Sequence, residues 1–394
     1  MAEAAIENRI ARLPEESRPL ERCLGQTLRE DVHAERENPP FDRVCMDGIA
    51  ICSDAAAAGA RQYVVEGTQA AGLPARSLSN PKAAIEVMTG AVMPLGADCV
   101  IPLEEYDLAE RIARLKPNSL LEPYRNVQRR GADSRPGVPM LQSGTRLNAP
   151  EIAIVASAGL ASVRVSRQPR IMVASTGDEL VEPGKPIAQH QVRRSNAYAV
   201  VAALMGHGFQ EVKNDHILDD ETMLRERLTR HLAESDALIL SGGVSKGKFD
   251  FVPKVLKELG VEEVFYQVAQ RPGMPMWFGM TRQGCAVFGL PGNPIATLVC
   301  LVRFVVPALV TAMGAQHRWP VPIALASPIK RGRTMTSFVP VQARYDAQGR
   351  HLAQPRIPNG SGDFLALAET DGFVELPPQP GSYPEGFIAN MYRW

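Results

Sequence analysis

In the second half of the chain, three short apolar runs each end in a Gly-rich polar turn. IMVA (171–174) leads into TGDEL (176–180), ALIL (237–240) into SGGVSKGKFD (241–250), and CAVF (285–288) into GLPGNP (289–294). Uninterrupted apolar runs of this length predict strands buried on both faces, and a following amphipathic stretch predicts a helix. Three such units predict a largely parallel sheet with three turns along one edge, where open α/β folds bind ligands. The intervening patterns agree. AYAVVAALM reads as a helix capped by Ser195 or Asn196 and stopped by Gly206 and Gly208. Residues 219–232 read as a second helix with leading acids and an i,i+4 pair, Glu221 and Arg225. FVPKVLKELG (251–260) reads as a third.

Elsewhere the texture differs. Residues 1 to about 36 read as one or two helices and a strand. From 38 to about 136, short β-like runs such as QYVVEGT and RIARLKP alternate with Gly and Pro, predicting a compact β-rich module. The Gly- and Pro-rich stretch 131–150 leads into an Ala-rich helix, EIAIVASAGL, and a strand, ASVRVSRQP. Beyond Trp319, alternating runs with Pro/Gly turns predict a small all-β unit.

Composition narrows the classes. The 394 residues predict two to four domains, and 45% hydrophobic with 22% charged residues is the balance of a globular protein. Lys+Arg and Asp+Glu are both 43, so no bulk positive charge serves nucleic-acid binding. MAEAAIENRIARLPEE is polar and amphipathic, unlike a secretory signal, which predicts a cytoplasmic protein. The longest apolar stretch, 295–310, contains Arg303 and Pro307 and is expected to be a buried core helix, too short and interrupted to span a bilayer. Six cysteines without a C-x-x-C pair predict scattered reduced thiols.

The turns carry the candidate chemistry. Glycines free backbone N–H groups to hold anions, and Asp178, Glu179, Asp219 and Asp250 offer hard oxygen ligands to a divalent cation. Gly242, Gly247 and Lys248 match P-loop spacing, but Phe249 stands where Mg²⁺ needs Ser or Thr. A phosphate or pterin loop of another type fits better. GLPGNP reads either as an anion cradle at a helix N-terminus or as a packing turn. Three first-half turns bear Asp47, Thr89 and, beside Arg129 and Arg130, Asp133; composition alone makes them surface turns. No G-x-G-x-x-G, G-x-S-x-G or H-E-x-x-H is present, and no His cluster has metal-ligand spacing.

Taken in order, PPFDRVCMDGIAI, VMTGAVMPLGADCVIPLEE, RRGADSRPG, STGDEL, RSNAYAV, SGGVSKGKFDF, RPGMP and FGLPGNP resemble the molybdopterin molybdenumtransferases, which include the C-terminal enzyme domain of gephyrin. The resemblance spans essentially the whole chain. It implies a multidomain α/β plus β fold in an elongated homodimer. Residues 1–36 and 137–168 would form a discontinuous linking and dimerisation domain, and 37–136 a β-rich inserted domain. Residues 169–317 would form a three-layer α/β molybdopterin-binding domain, and 318–394 a barrel-like C-terminal β domain.

The implied reaction takes adenylylated molybdopterin and molybdate with Mg²⁺, cleaves the pyrophosphate bond, releases AMP and leaves molybdenum on the dithiolene. Catalytic residues carried over are Asp47, Asp133, Glu179, Asp219, Asp250 and Arg271, with Glu179, Asp219 and Asp250 as metal ligands. Cofactor-binding positions are Thr89, Ser175, Thr176, Gly177, Ser241, Gly242, Gly243, Ser245, Lys246, Lys248, Pro291, Gly292, Asn293 and Ser361. First-half turns of one copy are expected to face the α/β domain of the other. Implied partners are the molybdopterin adenylyltransferase and molybdoenzyme-maturation proteins, with no nucleic acid and no membrane.

The chain departs from the family pattern. Ile49 replaces a Tyr, Pro340 falls where the family has Arg, and the usual K-P-G-K-P reads Arg271, Pro272, Gly273, Met274, Pro275. Lys246 and Lys248 flank Gly247, and one or the other is expected to restore the charge lost at Met274. The competing reading is a divergent paralogue that binds molybdopterin without transferring metal, as a carrier or insertion partner.

Overall fold

The computed structural model describes every residue except 244–250, 317–319, 331–333, 361 and 380. Its central sheet contains β1 (Ile171–Thr176), β2 (Val212–Ile217), β3 (Ala237–Ser241), β4 (Glu262–Tyr266), β5 (Trp277–Met280) and β6 (Ala286–Leu290). Their order is β2-β1-β3-β6-β5-β4, and only β5 runs antiparallel to its neighbours. The three apolar runs are therefore the adjacent strands β1, β3 and β6. Every residue of each is buried, which is why they read as unbroken apolar runs rather than alternating ones.

Helices cover both faces. On one, α1 (Ser195–Gly206) and the long apolar helix Pro294–Ala312 enclose Val173, Val200, Ile239, Phe288 and Leu301. On the other, α2 (Glu221–Glu234) and α3 (Val252–Glu258) enclose Leu224, Leu228, Leu238 and Val255. Each such fully buried side chain contributes about 1.5–3 kcal/mol.

The long helix corrects one expectation. It runs uninterrupted past Arg303 and Pro307 for 19 residues, so its length and composition would suffice for a membrane span; 78% of it is buried inside the protein, as expected of a core helix. Two local devices explain its continuity. A π-helical turn at Leu301–Val305 places Pro307 in the first turn of the next α-helical segment, where its missing N–H is tolerated. Arg303 pairs with Glu3 at 3.0 Å and Glu375 at 3.1 Å, so its charge is compensated. Both pairs also dock other parts of the chain onto this helix.

The first 36 residues form one short α-helix, Ala2–Glu7, a 3-10 turn at Leu20–Arg22, and strands Glu15–Pro19 and Val32–His33. Ile6 and Leu13 pack into the α/β core, so this end of the segment belongs physically with the central sheet. The strands pair with Ser162–Ser166 and Pro139–Leu141. Cys23, Leu28, Val32, Leu147, Val155 and Val165 close one small core between the two stretches. The Ala-rich helix, Ala149–Ser157, opens on a capping box between Asn148 and Glu151.

Between these stretches lies a six-stranded sheet that includes Gly48–Ile51, Gln62–Gln69 and Ala83–Val87. After the long helix, strands Val321–Leu325, Thr336–Tyr345, His351–Pro355, Gly372–Leu376 and Ile388–Arg393 close into a barrel, because Thr336–Tyr345 pairs with both of its neighbours. All six cysteines are free, and burial pushes the Cys285 and Cys300 thiols up to about 12, which removes them as nucleophiles at neutral pH.

Candidate active site

Three loops leave the same edge of the sheet at Thr176, Ser241 and Leu290, the C-terminal ends of β1, β3 and β6. At the first, Gly177 adopts φ +137, and the Glu179 carboxylate folds back so far that a Cβ on Gly177 would lie 2.5 Å from it. His216 Nε2 meets the Gly177 carbonyl at 2.9 Å, tying this turn to the end of β2. At the second, Gly242 (φ +91) and Gly243 (φ +67) take left-handed conformations that favour glycine. Gly242 also lies against the Thr176 carbonyl, 3.2 Å from where its Cβ would be. At the third, Asn293 caps the long helix by accepting from the Ala296 N–H at 2.9 Å. Thr297 Oγ1 donates to the Pro291 carbonyl at 2.6 Å and fixes the Pro291–Gly292 turn.

Asn196 joins these loops. Its Nδ2 donates to Gly292 O at 2.9 Å and to Ser241 Oγ at 3.2 Å. It does not cap α1, whose N-cap position is Arg194 and has no side-chain cap. The buried Arg194 guanidinium holds Ser175 Oγ at 3.0 Å, Asn214 Oδ1 at 3.0 Å and the Asp215 carbonyl at 2.6 Å, and pairs with Glu182. Ser175 is thereby occupied. Thr176 Oγ1 is buried and has no hydrogen-bond partner among the described residues, so a polar group at the loops has a hydroxyl to meet.

The acids divide into two sets. Asp178 Oδ1 accepts from the Asp219 N–H at 3.0 Å, which brings the first loop to the start of α2. Asp220, not Asp219, caps that helix through the Met223 N–H at 2.7 Å, leaving the Asp219 side chain uncommitted to capping. Burial, then the charges of Asp178 and Glu179, raise the Asp219 carboxyl above its usual range. Among the described residues, no group of three or more His, Cys, Asp and Glu is placed to hold a metal ion. The expected third ligand, Asp250, lies outside the described residues, with Ser245, Lys246 and Lys248; so does Ser361.

The other set stays in the first half. Asp47 accepts from both the Thr89 hydroxyl (2.6 Å) and the Thr89 N–H (2.7 Å), which hold its carboxyl below the usual range. Asp133 accepts twice from Gln128 Nε2, at 2.9 and 2.8 Å. Its neighbours do not engage it: Arg130 pairs with Glu37 and Arg129 stacks over Tyr124. No described hydrogen bond links Asp47, Thr89 or Asp133 to the three loops of the same chain. Ile49 is fully buried in the module's core, so the Tyr-to-Ile departure changes packing there and no loop contact.

Arg271 ends a two-residue strand, Gln270–Arg271, that pairs not with the central sheet but with Thr336 and Ser337 of the barrel. It lines a cavity of about 430 Å³ with Asn293, Pro340 and Asn359, between the third loop and the barrel. Met274 is 42% exposed outside that lining.

Comparisons with known proteins follow this architecture. The MoeA N-terminal region (domain I and II) matches residues 1–159, a probable molybdopterin binding domain matches 172–311, and the MoeA C-terminal region (domain IV) matches 322–393. The molybdopterin molybdenumtransferase of Synechocystis is 39% identical over 94% of this chain and 93% of its own length. The chain belongs to the molybdopterin molybdenumtransferase family. Its namesake from Haemophilus influenzae is 31% identical, over 93% of this chain and 91% of its own. A solved structure of the molybdopterin biosynthesis moeA protein of Pyrococcus horikoshii, 26% identical, superposes with a TM-score of 0.83 over 100% of this chain and 98% of that one. The multidomain α/β plus β fold is therefore that of the family.

Asn196, Arg194 and His216 were not singled out as site residues by their sequence. The RSN run that opens α1 is the available signal, and its local resemblance to a helix cap hides the cross-loop contact of Asn196.

Proposed function

We propose that this chain inserts molybdenum into molybdopterin in molybdenum cofactor biosynthesis. Its substrates are adenylylated molybdopterin and molybdate, and AMP leaves as the pyrophosphate bond is cleaved. The observation that carries this reading is the convergence of three Gly-bearing turns on one sheet edge beside the Arg271 cavity, in a chain aligned over nearly its full length with transferases of that name. Backbone N–H groups at the second and third turns suit the phosphates, and the Thr176 hydroxyl, without a partner among the described residues, suits a polar edge of the pterin. Arg271 suits the oxyanion, and Lys246 and Lys248 of the second loop's sequence carry the same charge. Asp47, held by Thr89, and Asp133, held by Gln128, act on a second copy's loops in a homodimer.

Glu179, Asp219 and Asp250 would hold Mg²⁺. Carboxylates suit a hard cation in kind, and Asp219, raised first by burial and then by the charges of Asp178 and Glu179, is a side chain whose ionisation a cation would favour. Bound there, the cation supplies electrostatic stabilisation of charge on the displaced phosphate. The protein works in the cytoplasm and receives its substrate from the molybdopterin adenylyltransferase.

The experiment supplies adenylylated molybdopterin, molybdate and Mg²⁺ to the purified chain and follows AMP release, with Asp250→Ala as control. Metal-dependent release lost in the variant supports the transferase. Tight binding without release means instead a cofactor-binding paralogue, the reading that Met274 favours.

A further inference from the structure

A cavity of about 540 Å³ opens toward the opposite edge of the sheet from the three loops, where the end of α1 and the long helix meet the barrel. Its size is that of a small-molecule pocket. Phe209, Val306, Val310 and Met313 give it an apolar wall. The charged groups around it are of one sign: Arg146 and Arg393 line it, and no Asp or Glu does among the described residues.

Neither arginine has a described ion-pair partner, and Arg146 is positioned by packing rather than by a carboxylate. Its guanidinium lies across bare glycine backbone, so close that a Cβ on Gly208 would be 2.4 Å from it and one on Gly25 3.7 Å. Gly208 adopts φ +94, so glycine is favoured there on backbone grounds as well. Beside it, the His207 Nε2 atom is buried without a hydrogen-bond partner among the described residues. Burial, then the charge of Arg146, keep this imidazole below its usual pKa, hence neutral at pH 7. A buried polar atom without a partner is costly, and native folds retain few.

An apolar wall, cations at its edge and one unpaired polar atom describe the complement of one chemical class. We propose that this cavity binds a small amphipathic anion, an aromatic or alkyl body bearing a carboxylate, sulfonate or phosphate, at a site separate from the three loops. The head group meets Arg146 and Arg393, the body lies on the wall formed by the long helix, and His207 Nε2 gains a partner.

Anilinonaphthalene sulfonate, an apolar anion that fluoresces on leaving water, is a direct probe of the full-length chain. Folded wild-type protein binds it saturably, at one site per chain. Arg146→Met and Arg393→Met, tested separately and shown folded by thermal unfolding, each weaken binding roughly tenfold, the scale of a charge-assisted contact. Val310→Trp, which fills the cavity, abolishes binding, and Arg271→Met, in the other cavity, leaves it unchanged. The proposal is overturned if the folded wild type shows no saturable binding, if both arginine variants bind like wild type, or if Arg271→Met removes the site. It is equally overturned if Val310→Glu splits a dimer that never bound the probe, since the face then belongs to a second copy.

Discussion

The side-chain amide of Asn196 donates to the carbonyl of Gly292 across 2.9 Å, so the first residues of one helix hold the turn that precedes another. With its bond to Ser241 Oγ, this one side chain sets the spacing of the second and third loops. Replacing it by Ala leaves a loop carbonyl and a hydroxyl unpaired, at about 1 kcal/mol of stability. The expected loss in kcat/KM for AMP release is larger, roughly tenfold to a hundredfold, because small misplacements of catalytic loops are costly. Asn196→Asp keeps the shape but has no donor, and steady-state kinetics should find it no better than Ala. Recovery by Asp would show that packing, not donation, matters.

Asp219 is expected to destabilise the chain when no cation is present. Its raised pKa means that the folded state holds the proton more tightly than the unfolded state. The stabilisation is complete below the unfolded value, about 3.9, and is lost as pH rises through the folded one. Asp219→Asn should therefore melt higher than wild type at pH 7 without divalent ions and alike below about pH 4. Adding Mg²⁺ should raise the wild-type Tm and not the variant's; calorimetry at both pH values reads both effects.

Asp236 reports the opposite sign. It accepts from Arg167 at 2.8 and 3.0 Å and from Arg170, whose guanidinium and backbone N–H both reach it, just before β3 begins. Burial alone would raise its pKa; the two arginines outweigh that and bring it to about 2. Its stabilisation, about 2 kcal/mol, is present above the unfolded value and lost as pH falls from about 4 to about 2. Urea titrations of Asp236→Asn should show a deficit of that order at pH 7 that closes across this window.

We expect Thr89 to serve Asp47 rather than the fold. The Asp47 carboxylate is exposed and is oriented by two bonds from Thr89. Thr89→Val removes one of them, and surface changes of this kind usually move stability by no more than about 0.5 kcal/mol. We expect an unchanged denaturation midpoint together with a clear fall in AMP release. An equal fall in both would make Thr89 structural.

What the sequence discloses follows burial and locality. The three apolar runs were legible because strands buried on both faces cannot carry polar residues. The leading acids of residues 219–232 read as helix-start chemistry, and Asp220 is the cap, since a cap bonds a neighbour in sequence. Asn196 is opaque for the same reason: its local context suits a cap, while its partners lie 45 and 96 residues away. The helix Pro294–Ala312 looked broken because tolerance of Pro307 depends on a π-helical turn, a backbone property that no residue pattern announces. Ile49 looked like a site change and is a core residue, because a turn motif does not say which side chain faces inward.

The short strand Gln270–Arg271 belongs by sequence to the α/β unit and by hydrogen bonding to the barrel. The wall of the 430 Å³ cavity is thus stitched across two folding units, and its main cation hangs from the seam. Removing the barrel would do more than open the pocket on one side. It would unmoor Arg271 at the same stroke, so that one deletion costs the cleft its charge and its shape together.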